Sequence, residues 1–375
     1  MRLLFVPPVL PVQRRAPRLS HSHPVPARPS LDRIEPAAPE SPAALRDAAC
    51  AFAREAGAIL LSGYGRVHAP EKKGRIDLVT EYDKRSEALL LARIREHFPH
   101  HGILAEESGP HAGAAPAADA NAASRAAGSA PDHQAGGLGT RHENVPGGLG
   151  TRHVESSRAT GSAPQHRAGG PGPRHENVER IAEPAVRWLC DPLDGTTNFA
   201  HNYPFFCVSV GVEIAGVLAA GAVYDPVRDE LFAAAAGHGA TLNGAPIHVT
   251  AVSALDDALL VTGFPYDVRE KPERHVPLFQ DFLLRAQGIR RDGSAALNLC
   301  YVAMGRFDGM WEGNLSPWDI AAGALIVQEA GGIITGYAGE PLRLDGRRIV
   351  TANPTLHARL LEVVAGHPEA GAVIG

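Results

Sequence analysis

Apolar residues recur at helical spacing in two segments of the chain. Ser41-Pro42 has the residue types of an N-cap and a first helical position, and apolar residues from Leu45 to Leu60 then recur every three or four positions. Residues 80–98 repeat this spacing. The pattern predicts two helices, one that begins at Pro42 and one that spans 80–98.

Shorter apolar runs predict strands. The runs with this length and composition are 103–105, 186–190, 206–223 and 229–236, and a turn at Asp225-Pro226 joins the last two. A further helix is predicted over 320–330, where Gly331-Gly332 would end it. Helices and strands mix without strict βαβ alternation, which favours a layered α+β fold.

Two segments lack such patterning. Residues 1–40 contain nine prolines, and residues 109–185 are rich in Ala, Gly, Pro, Arg and His, with the hexapeptide at 137–142 repeated at 148–153. Neither segment has enough large apolar side chains to form a core, so we expect a disordered Pro-rich tail and a disordered low-complexity insertion. The rest of 41–375 forms one predicted domain, with an ordinary single-domain size of about 260 residues.

Composition and charge narrow the possible functions. No apolar run is long enough to span a membrane, and four cysteines without a CxxC pair argue against a zinc ribbon and against a disulfide-built secreted domain. Pro7, Pro8 and Pro11 interrupt the apolar start of the chain, so we expect a cytoplasmic protein. The net charge is −5, and an acidic protein repels a phosphate-bearing partner unless cations lie between them.

Acidic residues lie at the ends of several predicted elements. Asp191 and Asp194 follow the strand 186–190, and two carboxylates so placed can converge on a divalent cation. The N–H groups of Gly195 and Thr196, near a predicted helix start, can hold a phosphate. An Asx turn followed by a helix cap is the structural alternative.

Three further acidic positions share this placement. Glu106-Glu107 follows the strand 103–105, Asp319 precedes the helix 320–330, and Asp83 lies three residues after Thr80. Each has a structural alternative: a solvated strand end, a helix cap and a capping box, respectively. Their common position beside buried apolar segments favours a shared cation site.

Five ordered motifs resemble one enzyme family. They are 77–83 (DLVTEYD), 105–108 (AEES), 191–199 (DPLDGTTNF), 293–298 (GSAALN) and 318–332 (WDIAAGALIVQEAGG). Together they are similar to the inositol monophosphatase family of magnesium-dependent, lithium-sensitive phosphatases. The resemblance implies an αβαβα sandwich, the sugar-phosphatase fold, and a homodimer. The insertion departs from the family, which keeps this loop short, and Asn298 stands where bacterial relatives often have Asp.

The resemblance also implies a set of metal ligands. Glu106, Asp191 and the backbone carbonyl of Leu193 resemble the ligands of a first Mg²⁺. Asp191, Asp194 and Asp319 resemble the ligands of a second, with Asp191 bridging. Glu107 would hold a third Mg²⁺ or its water, so two or three ions are expected for each site.

Other matched positions imply catalytic and substrate contacts. Thr196 resembles the hydroxyl that orients the attacking water, with Asp83 behind it, and the amides of Gly195 and Thr196 would hold the phosphate. The implied substrate contacts are Lys72 on a mobile loop, Glu312 at the substrate hydroxyls, and Ser294 and Ala295 along one wall.

These roles predict a Mg²⁺-dependent phosphomonoesterase that acts on inositol monophosphate or a similar small polyol phosphate. Histidinol phosphate, fructose 1,6-bisphosphate and 3′-phosphoadenosine 5′-phosphate remain alternative substrates, because the metal site is shared while the pockets differ. A mainly non-catalytic interaction protein is the alternative from another class. Neither a nucleic-acid partner nor a membrane is expected.

Overall fold

The computed structural model describes residues 41–66, 71–72, 78–114 and 185–367. The predicted tail, 1–40, and most of the predicted insertion lie outside the described residues. Gly109–His111, the first residues of that predicted insertion, form a strand, so regular structure extends past the predicted boundary. No helix in the described ranges is long and apolar enough to cross a membrane.

The described residues form α-helices and β-strands in a mixed order. The helices are α1 (Pro42–Gly63), α2 (Glu81–His97), α3 (Thr196–Ala200), α4 (Pro272–Arg285), α5 (Ala295–Ala303), α6 (Pro317–Glu329) and α7 (Pro354–Ala365). The strands are β1 (Glu71–Lys72), β2 (Leu78–Val79), β3 (Gly102–Ala105), β4 (Gly109–His111), β5 (Val186–Asp194), β6 (Cys207–Ile214), β7 (Val217–Asp225), β8 (Glu230–Ala235), β9 (Ala240–Leu242), β10 (Ala245–Pro246), β11 (Leu259–Thr262), β12 (Gly288–Arg290), β13 (Gly309–Gly313), β14 (Ile333–Thr335) and β15 (Arg348–Ala352).

Two sheets and three helical layers alternate through the domain. The eight-stranded sheet has the order β10-β9-β8-β7-β6-β5-β3-β4, and the five-stranded sheet has the order β12-β11-β13-β15-β14. Helices α1 and α2 cover one face of the larger sheet, α5 and α6 lie between the sheets, and α4 and α7 cover the outer face of the smaller sheet. The predicted α+β class and αβαβα sandwich are confirmed.

Helix α6 lies unusually close to the larger sheet. Gly211 on β6 and Gly221 on β7 are directly opposite each other. A Cβ at Gly211 would lie 2.6 Å from the Cβ of Ala321, and one at Gly221 would lie 2.9 Å from the Cα of Ala322. The pairing of glycines on the sheet with alanines on the helix therefore brings the first turns of α6 against β6 and β7.

Most predicted elements are present, with shifted boundaries. Helices α1 and α2 match the two predicted helices, and Ser41 and Thr80 are their N-caps. The run 206–223 is two strands rather than one, because Ala215 and Gly216 form a turn with positive φ. Helix α6 begins at Pro317, three residues before the predicted start, so Asp319 lies inside its first turn.

Candidate active site

A β-bulge places Asp191 and Asp194 together. Asp191 pairs with Ser209 of β6 and Asp194 pairs with Cys207, so three steps along β5 match two steps along β6. Residues three apart in a regular strand point to opposite faces, whereas one extra residue restores them to the same face. The strand therefore does not end at residue 190 as predicted; β5 continues through Pro192 and the bulge to Asp194.

Parallel pairing of β3 with β5 brings Glu106 to Asp191. Ala105 is the register partner of Cys190, and the Glu106 N–H donates to the Cys190 carbonyl at 3.2 Å. Glu106 and Asp191 are the next residues of the two strands, and the Glu106 carboxyl group is close enough to raise the pKa of Asp191.

Asp319 reaches the same cluster from α6. Its Oδ2 accepts a hydrogen bond from the Ser316 N–H at 2.7 Å, which completes a capping box. Ser209, the sheet partner of Asp191, donates to the Trp318 carbonyl at 3.2 Å and ties this helix turn to β6. The Asp319 carboxyl group also interacts with that of Asp191, so the cap position and the carboxylate cluster are compatible.

The start of α5 holds Asp194. Ser294 Oγ donates to Asp194 Oδ2 at 2.6 Å, and the N–H groups of Ala296 and Ala295 donate to the same carboxylate at 2.7 and 3.3 Å. Donors at a helix N-terminus favour a negative charge. Ser294 and Ala295, predicted to line the substrate wall, are therefore direct partners of Asp194.

Buried carboxylates in contact raise one another's pKa. Burial is the main cause that raises the pKa of Asp191, followed by repulsion from Glu106, Asp194 and Asp319. Burial likewise raises the pKa of Glu312, to about 8, with repulsion from Asp194 and Asp319 adding to it and Arg291 opposing it. Such a cluster is stable in its ionised form only when positive charge enters it.

The donor set fits hard divalent cations. Carboxylate and carbonyl oxygens are the ligands that Mg²⁺ takes in proteins, and one carboxylate oxygen of Glu312 is buried with no hydrogen-bond partner among the described residues. In the described part of the chain, however, no three His, Cys, Asp or Glu side chains are already arranged around a common ion position. The cluster carboxylates instead interact with each other and bond to neighbouring protein donors.

Thr196 connects this cluster to the cap of α2. Its hydroxyl lies 3.1 Å from Asp83 Oδ1 and 3.0 Å from the Leu193 carbonyl oxygen. The other oxygen of Asp83 accepts hydrogen bonds from the Thr80 N–H at 2.8 Å and the Thr80 hydroxyl at 2.6 Å. Asp83 thus belongs to a capping box, as the structural alternative predicted, and contacts Thr196 as well.

Gly195 has a backbone that requires glycine. Its φ is +97°, and a Cβ there would lie 3.0 Å from the Phe205 carbonyl oxygen. The residue is the N-cap of the short helix α3, which directs the chain from the bulge of β5 to Thr196.

Three further predicted positions lie after β3, in β1 and in β13. The Glu107 N–H donates to Glu87 Oε2 at 2.8 Å, so its backbone is fixed from α2. Lys72 lies in β1, antiparallel to β2, and its side chain is outside the described atoms. Glu312 lies on β13, and its carboxylate packs against the backbone of Gly263. A Cβ added at Gly263 would overlap this carboxylate.

Glu87 is a site residue that the sequence analysis missed. It is buried, one helical turn beyond Asp83 on α2, and it holds the Glu107 backbone. The i, i+4 spacing of the two acids on one helix face was the signal that could have identified it. Ser86, beside it, donates to the Pro192 carbonyl at 2.8 Å and fixes the bulge from the same helix.

Comparison with known proteins identifies a family model, relatives and solved structures that match this chain. The model of the inositol monophosphatase family matches residues 42–126 and 157–369. An inositol-1-monophosphatase of Synechocystis is 38% identical over 315 residues, which cover 84% of this chain and 86% of that protein. The Nus factor SuhB of Escherichia coli K12 is 33% identical over 311 residues, which cover 82% and 91% of the two chains.

A solved structure agrees with the fold. The inositol monophosphatase from Anabaena matches with a TM-score of 0.62 and 37% identity, over 87% of this chain and 96% of that chain.

Proposed function

The chain belongs to the inositol monophosphatase family, and from that premise we propose that it is a Mg²⁺-dependent phosphomonoesterase acting on inositol monophosphate or a similar small polyol phosphate. Family membership supports phosphatase activity, and the identities of the metal ion and of the substrate are what we propose. The observation that carries it is the buried contact of Asp191 with Glu106 and Asp319 beside Asp194.

The proposed metal ligands are divided between two ions. Glu106, Asp191 and the Leu193 carbonyl would hold one Mg²⁺, and Asp191, Asp194 and Asp319 would hold the other, while Glu107 would serve a third ion or its water. Bound there, the ions would supply water activation and would neutralise charge on the phosphate and the leaving oxygen.

Thr196 and Asp83 are proposed to orient the attacking water. When the Thr196 hydroxyl donates to Asp83 Oδ1, its oxygen lone pairs remain free to accept a hydrogen bond from water. The water then turns its own lone pair toward phosphorus. The Asp83 carboxylate is fixed in orientation, because its second oxygen accepts hydrogen bonds from both the N–H and the hydroxyl of Thr80.

Substrate binding is assigned to groups around the cluster. The amides of Gly195 and Thr196 and the side chain of Lys72 would contact the phosphate, and Ser294 and Ala295 would line the wall behind Asp194. Glu312 would accept hydrogen bonds from substrate hydroxyls, since one of its buried oxygens has no hydrogen-bond partner in the part of the chain that the structure describes. That acceptor favours a polyol phosphate over a nucleotide.

A phosphate-release screen tests the proposal. Purified protein is incubated with Mg²⁺ and inositol 1-phosphate, histidinol phosphate, fructose 1,6-bisphosphate or 3′-phosphoadenosine 5′-phosphate, with and without Li⁺. We expect the highest kcat/KM for inositol 1-phosphate, inhibition by Li⁺, and no turnover by Asp191→Asn. Absence of Mg²⁺-dependent release from every substrate would contradict the proposed activity.

A Nus-factor role is the second candidate. It is favoured by the 33% identity to a relative that carries that name, and it corresponds to the interaction-protein alternative. Asp191→Asn separates the two, because an interaction role survives loss of turnover whereas a purely enzymatic role does not. The homodimer, the cytoplasmic location and the absence of a nucleic-acid partner stay predictions.

A further inference from the structure

A second concave site lies on the outer side of the five-stranded sheet. It is a cavity of about 190 Å³, enough for several waters at about 30 Å³ each. Residues after β11 and β13 and the first turns of α4 line it, with Leu278 and Trp311 among its apolar contacts.

The cavity is distinct from the carboxylate cluster. Trp311 and Gly313 of β13 line it, whereas Glu312, between them, is coupled electrostatically to Asp194 and Asp319. Successive residues of a strand point to opposite faces, so β13 separates the two sites.

Positive charge dominates the lining. Lys271, Arg274 and Arg348 line the cavity together with His275, and Asp267 is the acid among them. Asp267 contacts Lys271 at 3.3 Å and His275 at 3.1 Å, and the Arg348 guanidinium lies over the Tyr337 ring, so Arg274 is the lining cation that these contacts leave for a ligand. Over the described residues, the Arg274 guanidinium makes no ion pair or side-chain hydrogen bond. The excess of cations contrasts with the chain's net charge of −5.

We propose that this cavity is an anion-binding site that takes a phosphate group, either free or carried by a small molecule. Arginine and lysine at a concave surface supply charge-assisted hydrogen bonds, and a guanidinium matches phosphate oxygens in a two-pronged contact. Helix α4 adds the positive end of its dipole, because it begins at Pro272 beside the cavity.

The test is a phosphorus NMR titration of the full-length protein with inorganic phosphate. A chelator removes divalent cations, so that the carboxylate cluster repels the anion and does not contribute binding. We expect saturable binding that weakens with added salt, and at least about tenfold weaker binding in Arg274→Gln and in Lys271→Gln. Arg285→Gln is the matched control, because it removes one charge from the exposed far end of the same helix.

Absence of saturable binding, or equal affinity in wild type and Arg274→Gln, would overturn the proposal. Circular dichroism of each variant checks the fold. Because this measurement needs no turnover, its failure is separate from failure of the proposed phosphatase activity.

A competition experiment identifies the source of the phosphate group. If a small molecule carries the group, fructose 1,6-bisphosphate displaces inorganic phosphate from the wild-type protein in the same chelator-treated titration. If it is a free anion, the sugar phosphate does not displace phosphate, and phosphate still binds to the wild-type protein. Both results support an anion site.

Discussion

Thr196 Oγ1 lies 3.1 Å from Asp83 Oδ1, which joins two residues 113 positions apart in the chain. The second oxygen of Asp83 is bonded to Thr80, and Asp83 is fully buried, so water cannot substitute for either partner. The cap of α2 therefore sets the direction in which the Thr196 hydroxyl points.

Loss of the Thr196 hydroxyl should lower turnover. Thr196→Val keeps the shape of the side chain but can neither donate to Asp83 nor accept from water, so we expect kcat to fall by about 10²–10⁴-fold. Thr196→Ser keeps the hydroxyl and should retain most of the activity. Initial rates at saturating Mg²⁺ and substrate measure both; a Thr196→Val enzyme with wild-type kcat would remove Thr196 from the mechanism.

Mg²⁺ should stabilise the wild-type fold through Asp191. Divalent cations that bind only the folded state raise its free energy of unfolding by about 2.7 kcal/mol at one hundred times Kd. Asp191→Asn removes the carboxylate that contacts both Glu106 and Asp319, and should lose most of this increase. In chelator the variant should be at least as stable as wild type, because one source of repulsion is gone. Thermal unfolding of both proteins with and without Mg²⁺ tests this prediction. If Mg²⁺ raised the unfolding temperature equally in the two proteins, Asp191 would be excluded as a ligand.

Glu312 should make stability fall as pH rises. Its pKa is 4.5 in the unfolded chain and about 8 in the fold, where burial and then Asp194 and Asp319 raise it. Between these values the folded state holds a proton that the unfolded state has lost. The stabilisation that this proton gives the fold is complete below pH 4.5 and is lost as pH rises to 8. Over that range the free energy of unfolding falls by about 1.4 kcal/mol for each pH unit.

The isosteric variant Glu312→Gln isolates this effect from the other carboxylates. Urea unfolding in chelator across that pH range should show wild type losing stability relative to the variant as pH rises. Parallel profiles would show that Glu312 titrates normally.

The sequence predicted the starts of α1 and α2 because their signals are local. Ser41 and Thr80 cap helices through side chains that reach only two or three residues along the chain. For the same reason the motif around Asp191 could be recognised, because its residues are consecutive in the sequence.

Contacts that depend on strand pairing could not be predicted in this way. The bulge between Asp191 and Asp194 exists only relative to β6, and the contact of Glu106 with Asp191 depends on parallel pairing of β3 with β5. Glu87 was missed because its partner, the Glu107 backbone, lies 20 positions away. The Ala215-Gly216 turn was missed because the apolar run continues across it.

Deletion of residues 115–184 should leave the fold and its activity intact. The two ends are held independently: the Ala114 N–H donates to Pro99 at 2.7 Å, and the Ala215 N–H donates to the Ala185 carbonyl at 2.7 Å. Strands β4 and β5 flank β3, so their ends at this edge are two strand spacings apart, roughly 10 Å. A Gly-Ser linker of about six residues spans that distance.

Because closure entropy grows with the logarithm of loop length, the shortened protein should be about 2 kcal/mol more stable. Direct fusion of Ala114 to Ala185 is the control, since it cannot span the gap and should unfold β4. Urea unfolding and phosphate release measure the outcome, and a linker variant that is inactive or less stable would show that the deleted residues support the domain.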